Sequence, residues 1–138
     1  MTELEAIEKA AAVFNLNGTI QWYHDKRNGR TYAVDISFNR EDLLETIHRF
    51  DQPVTFMIGN SKLHPNDNYN KKTGRTVSAS KMKPTMLRLN YVYKEPVPVG
   101  VESDKLFIEF RDDDTGVNYT FRVNRHSEKP HFIKASTY

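Results

Sequence analysis

The stretch Asn68-Tyr69-Asn70-Lys71-Lys72-Thr73-Gly74-Arg75-Thr76 holds the residues whose types and spacing come closest to a chemistry. Lysine and arginine neutralise phosphates and release condensed counterions. Gly74 lets backbone N–H groups approach a ligand, Thr73 and Thr76 can donate hydrogen bonds, and Tyr69 offers a flat face to an unpaired base. Residues 60–94 carry Lys62, Lys71, Lys72, Arg75, Lys81, Lys83, Arg88 and Lys94 against Asp67 alone, a net +7 inside a chain whose total is only +2. Sign asymmetry of this kind speaks to partners and association rates, not to fold. The plainer reading is a solvated loop that keeps the protein soluble, because a charge run by itself is a weak signal. Arg122, Arg125, Lys129 and Lys134 add a second basic segment near the C-terminus.

Catalytic arrangements are largely excluded. Lys-Lys-Thr-Gly-Arg-Thr lacks the Gly-Lys-Ser/Thr ending of a phosphate-binding loop, and neither Gly-x-Gly-x-x-Gly nor His-Glu-x-x-His occurs. The chain has no cysteine, which removes thiolate zinc sites, iron–sulfur clusters, disulfides and a cysteine nucleophile. A metal-dependent phosphoesterase would have to draw on His64, Asp67 and the Asp112-Asp113-Asp114 cluster. Glu109-Phe110-Arg111 is the nearest approach to a restriction-type Glu-x-Lys, and it lacks the lysine. The three aspartates could hold a hard cation. Their plainer role is a hairpin loop, with Asp bonding its own backbone and Gly116 supplying a positive φ. As a docking tip, Asp112, Asp113 and Asp114 would meet a basic partner, and Trp22 is the one aromatic singled out as a contact residue. The five histidines are dispersed, and none reads as a ligand. No cofactor is expected.

The elements that must position these residues follow from periodicity and turn chemistry. Leu4, Ile7, Ala11 and Phe14 fall on one helical face over 3–14, after a Thr2/Glu5 capping-box spacing. Leu43, Leu44, Ile47 and Phe50 predict a second helix over 40–50, with Asn39 as N-cap and Pro53 as the stop. Asn28-Gly29 predicts a two-residue hairpin turn within 19–38, setting Tyr23 opposite Val34. Tyr23, Tyr32, Val34, Ile36 and Phe38 then form the core face, and Ile20, Trp22, Thr31 and Ala33 a half-wet one. Strands are expected at 54–58, 86–93, 106–111, 117–123 and 131–134. In the second of these, Leu87, Leu89, Tyr91 and Tyr93 alternate against Arg88 and Asn90. Residues 60–83 show no defensible period and are expected to be a long basic loop of net +5.

With 138 residues, 38% of them apolar and 16 aromatic, the chain suffices for one ordinary domain with a packed core. The expected class is α+β: an antiparallel sheet of about five to seven strands built from hairpins, with two helices packed on one face. No apolar run approaches the ~18 residues of a membrane span, and the acidic start Met-Thr-Glu-Leu-Glu is unlike a signal peptide. The expectation is a cytoplasmic, non-enzymatic binding protein. It would hold DNA or RNA through Lys62, Tyr69, Lys71, Lys72, Arg75, Lys81, Lys83 and Arg88. The alternative is a protein-interaction module of the kind found among phage or mobile-element accessory factors that inhibit a host protein. Exposed sheet edges are compatible with a homodimer.

Overall fold

Alternating apolar residues separated by Asn-Gly, Pro and Asp-Thr-Gly punctuation produce an α+β chain of antiparallel strands. The computed structural model describes residues 19–48, 52–62 and 70–137. The helix expected over 3–14, and with it Leu4, Ile7, Ala11 and Phe14, lies outside the described residues. The elements are β1 (Ile20–Asp25), β2 (Arg30–Asp35), α1 (Arg40–Ile47), β3 (Val54–Lys62), α2 (Lys71–Ser80), β4 (Lys83–Lys94), β5 (Lys105–Asp112), β6 (Val117–Asn124) and β7 (His131–Thr137). The strand order is β1-β2-β3-β4-β5-β6-β7, and the described pairings are antiparallel. Contacts divide the chain into two units. One holds β1, β2, β3 from Phe56, α2 and the first residues of β4; the other holds α1, β4 from Met86, and β5 to β7. Each unit thus has one helix among the described residues; the antiparallel α+β class is as expected, and two helices on one face are not shown.

In the first unit β1 and β2 pair with Tyr23 opposite Tyr32 and Asp25 opposite Arg30, so the loop has four residues, Lys26–Gly29, and not two. The cause is local. Asp25 accepts hydrogen bonds from the Asn28 backbone at 3.3 Å and from the Asn28 amide at 2.7 Å, and Gly29 closes the loop at φ 64°. The register moves by two residues, which leaves every side chain on the face its alternation predicts. The face expected to be half wet is covered: Thr31, Ala33 and Asp35 are as buried as Tyr32 and Val34.

The cover is α2, which stands where a loop was expected. The strand β3 also runs on to Lys62, and β4 begins at Lys83, so the stretch 60–83 is shorter in loop than its composition suggests. Asn70 caps α2 by accepting from the Thr73 N–H at 3.2 Å. The helix buries Thr76, Ser78 and Ala79. Ala79 and the following Met82 close on Ile20 and Ala33, with Trp22 and Met57 packed at the margin. Contact is backbone-close. A Cβ on Gly59 would stand 2.0 Å from the Ser78 carbonyl oxygen, and one on Gly74 would stand 2.2 Å from Thr31 Oγ1. Ser61 Oγ donates to the Gly74 carbonyl at 3.2 Å. Small polar residues therefore form the buried stripe, which is why no apolar period marks this helix.

In the second unit the inward faces of β5, β6 and β7 supply Ile108, Phe110, Tyr119, Phe121, Val123, Phe132 and Ala135, all buried. Phe121 is the hub, with ring centroids 6.2 Å from Phe38, 5.9 Å from Phe110 and 5.6 Å from Phe132. Burying one such ring contributes about 1.5–3 kcal/mol. The helix α1 begins on a reciprocal capping box, Asp42 N–H to Asn39 Oδ1 at 2.9 Å and Asn39 N–H to Asp42 Oδ2 at 3.1 Å. Arg40 ties it to the end of β6: its N–H donates to the Glu128 carbonyl at 2.6 Å, and its guanidinium donates to the Asn124 and Arg125 carbonyls.

The close approach of α2 to β2 and β3 has a direct test. Gly74→Ala should destabilise the protein by about 1–3 kcal/mol, the usual range for overpacking. Gly59→Ala should cost more, because the obstacle there is backbone. Urea unfolding midpoints measure both, and an unchanged midpoint for Gly59→Ala would show that α2 does not rest on β3.

Candidate nucleic-acid interface

The basic residues of the first unit are distributed by α2. Lys71 and Lys72 stand exposed in its first turn, Arg75 lies half-buried one turn on, and Lys81 and Lys83 are exposed at its far end. Lys81 lies ten residues beyond Lys71, about 15 Å along the axis. The first turn holds no acidic residue. Two lysines at the positive end of a helix dipole oppose it, a local cost that an anion would relieve. Lys62, Lys71, Lys72, Lys81 and Lys83 form no ion pair among the described residues. Lys62 alternates with Ser61, whose hydroxyl reaches α2, so it points to the opposite face of the sheet. Tyr69 lies outside the described residues, as do His64 and Asp67.

The second unit presents a face that sequence reasoning missed. Along β4 the register runs Arg88 opposite Arg111, Leu89 opposite Phe110, then Tyr91 opposite Glu109, with Asn90 as the extra residue of a β-bulge. One inserted residue exchanges the faces of everything beyond it. Tyr91 and Tyr93 therefore leave the side of Leu87 and Leu89 and join Arg88, contrary to the alternation expected from sequence. Exposure agrees: Tyr91 is 59% and Tyr93 39% accessible, while Leu87 is 1%. The apolar spacing Leu87, Leu89, Val92, two residues and then three, is the signal that marks the bulge.

Cross-strand pairing then sets out three rows. Tyr93, Phe107, Arg122 and His131 form one; Tyr91, Glu109, Thr120 and Lys134 the next; Arg88, Arg111, Asn118 and Ser136 the third. Tyr93 stacks on Phe107 with centroids 5.0 Å apart and planes 8° from parallel, and Tyr91 lies 5.5 Å from Tyr93. The bulged Asn90 donates its amide to Glu109 Oε2 at 2.7 Å and lies 3.4 Å from Asn118 Oδ1. Glu109, Asn118 and Thr120 are buried on this face. Arg122 Nε, Asn124 Oδ1 and Ser136 Oγ are buried atoms with no hydrogen-bond partner among the described residues.

The acidic tip is occupied with its own loop. Asp112 is buried and its Oδ1 accepts from the Asp114 N–H at 3.0 Å, while Gly116 donates back to the Asp112 carbonyl at 2.8 Å. Asp113 takes a two-pronged bridge from Arg88, 3.1 Å on each side, and lies 3.4 Å from Arg111. Asp113 and Asp114 are both exposed, and Asp114 forms no ion pair among the described residues. No group of three metal-ligating side chains occurs among the described residues. Trp22 is half-buried against the α2 cluster, its Nε1 without a hydrogen-bond partner among the described residues. A cleft of about 210 Å³ lies beside Arg40, Leu44, Lys94 and Ser103. Most cations around it are engaged, Arg125 with Glu102 at 2.9 Å and Lys105 with Glu95 at 3.6 Å.

No family model, no curated protein and no solved structure matches the chain. No helix among the described residues is long and apolar enough to cross a membrane.

The Arg88 hydrogen bond holds the Asp113 carboxyl below the usual aspartate range, with the Arg88 and Arg111 charges acting in the same direction. A lowered folded-state value means that the bridge stabilises the fold above the ordinary aspartate pKa of about 3.9, and that this stabilisation disappears as pH falls through the depressed value. NMR titration should place the Asp113 midpoint below the ordinary one, and Arg88→Ala should return it upward. An unshifted midpoint in the wild type would show the bridge to be absent in solution.

Proposed function

We propose that this chain is a nucleic-acid-binding protein that performs no catalysis, and that the basic 60–94 region is its contact surface. The observation supporting this reading is the set of exposed lysines on and beside α2, which lack carboxylate partners among the described residues although the chain has nearly as many acids as bases. Lys71, Lys72 and Lys81 would take phosphates, and the partner would be DNA or RNA. Such contacts position a polyanion without reading sequence. Arg88 belongs to this region but is committed to Asp113, so its share is smaller.

The protein-docking alternative, including inhibition of a host protein, is expected to work through opposed basic and acidic patches with Trp22, Asp112, Asp113 and Asp114, and a separate apolar feature would also serve it. Val97, Val99 and Val101 project from the loop after β4 with 39%, 105% and 57% accessibility. Such a docking complex would resist salt and be abolished by replacing these valines with serine.

Polyanion binding predicts retention on heparin and an affinity for nucleic acid that falls steeply with salt. A Lys71→Ala, Lys72→Ala, Lys81→Ala variant should bind all sequences more weakly, with the log–log salt slope flattened by about 1 for each phosphate that is no longer neutralised. Fluorescence anisotropy at several salt concentrations measures this. A wild-type protein indifferent to DNA and RNA at low salt would end the proposal.

A further inference from the structure

We infer that the β4–β5 side of the outward face of β4 to β7 is a platform for single-stranded nucleic acid, with unpaired bases stacking on Tyr91, Tyr93 and Phe107. The inference rests on the nucleic-acid reading above, but on a different surface in a different unit. Three exposed or half-exposed rings stand side by side, Tyr91 to Tyr93 at 5.5 Å and Tyr93 to Phe107 at 5.0 Å. Exposed aromatic rings on a sheet accept any base by its π-face, which a duplex keeps hidden in its own stack.

Charge divides this face in a useful way. Arg88, Lys105, Arg111, Arg122 and Lys134 stand on it against the single carboxylate Glu109. Arg88 and Arg111 share Asp113, and Lys105 is paired with Glu95. Arg122 and Lys134 form no ion pair among the described residues. The rings therefore occupy the β4–β5 half and the uncommitted cations the β6–β7 half. A strand with its bases over Tyr91, Tyr93 and Phe107 would lay its phosphates toward Arg122 and Lys134. Arg122 and His131 continue the row of Tyr93 and Phe107, so four planar groups lie abreast.

The experiment compares labelled oligothymidylate, oligouridylate and a mixed-sequence duplex by anisotropy at fixed low salt. The proteins are the wild type, Tyr91→Ala with Tyr93→Ala, Tyr91→Phe with Tyr93→Phe, and the α2 lysine variant. The alanine pair should weaken single-strand binding by about tenfold per ring and leave duplex binding unchanged, whereas the phenylalanine pair should bind single strands as the wild type does. The two oligonucleotides decide between DNA and RNA. Wild-type strength in the alanine pair, with weakened binding in the lysine variant, would overturn the platform and leave the α2 interface standing. A wild type that binds none of the three probes would remove both. Should the alanine pair not fold, photo-crosslinking of wild-type protein to an iodouracil-substituted strand decides the matter. Crosslinks at Tyr91, Tyr93 or Phe107 support the platform, and crosslinks confined to other peptides overturn it.

Discussion

A strand sends alternate side chains to opposite faces, and only an extra residue can break that rule. The second unit has two such breaks among its described pairings, one between β6 and β7 and the other, which sets its aromatic face, at Asn90. Without it Tyr91 and Tyr93 would follow Leu87 and Leu89 toward the side of Phe110 and Phe121. With it the apolar face is completed by Val92, opposite Ile108, and two tyrosines are delivered to the side of Arg88 and Arg111. The bulge is held by its own side chain, the Asn90 amide bonded to the buried carboxylate of Glu109. Glu109 and Asn118 are thus polar residues buried on a sheet face because they anchor the irregularity beside them.

The first unit is governed by distance. A helix can lie directly on a sheet only where neither surface carries bulk, and here Gly59, Ala33 and Thr31 meet Gly74, Ser78 and Ala79. Most helices in water are held by an apolar stripe. This one has little of that. Its buried hydroxyls return to its own backbone, Thr76 to the Lys72 carbonyl at 3.0 Å and Ser78 to the Arg75 carbonyl at 3.2 Å. They therefore bury no unsatisfied polar group, and the opposite side of the helix is left to lysine.

Opposite charges in neighbouring segments do not simply cancel. The basic 60–94 stretch meets the acidic residues that follow it where Arg88 bridges Asp113, and within the later segment Lys105 faces Glu95. Those bridges tie up one candidate cation and leave the α2 lysines without carboxylates among the described residues. Asp112, which by its sequence belongs to an acidic tip, is turned inward to hold the Asp114 N–H. Adjacent residues of identical type thus take up three different roles, because each occupies a different position of one tight turn.

Local chemistry made much of the architecture legible. Asn39 with Asp42 marked the start of α1, Asp112 to Gly116 marked a hairpin, and the alternation of Val117, Tyr119, Phe121 and Val123 named the inward face of β6. These depend on near neighbours in the chain, which the sequence states outright. The helix over 71–80 was hidden because its stripe is made of small residues whose value appears only when Gly59 and Thr31 are brought against them. The aromatic face was hidden because a bulge shifts the period by one, and the partner strand decides where the count restarts. The order of periodic segments and turn signals established the class of fold, and the placement of charges along the chain established the excess of positive charge in its middle. Which rings and cations share a surface was decided by pairing between strands distant in sequence, because a side chain's face is fixed by the residue opposite it and not by the residues beside it.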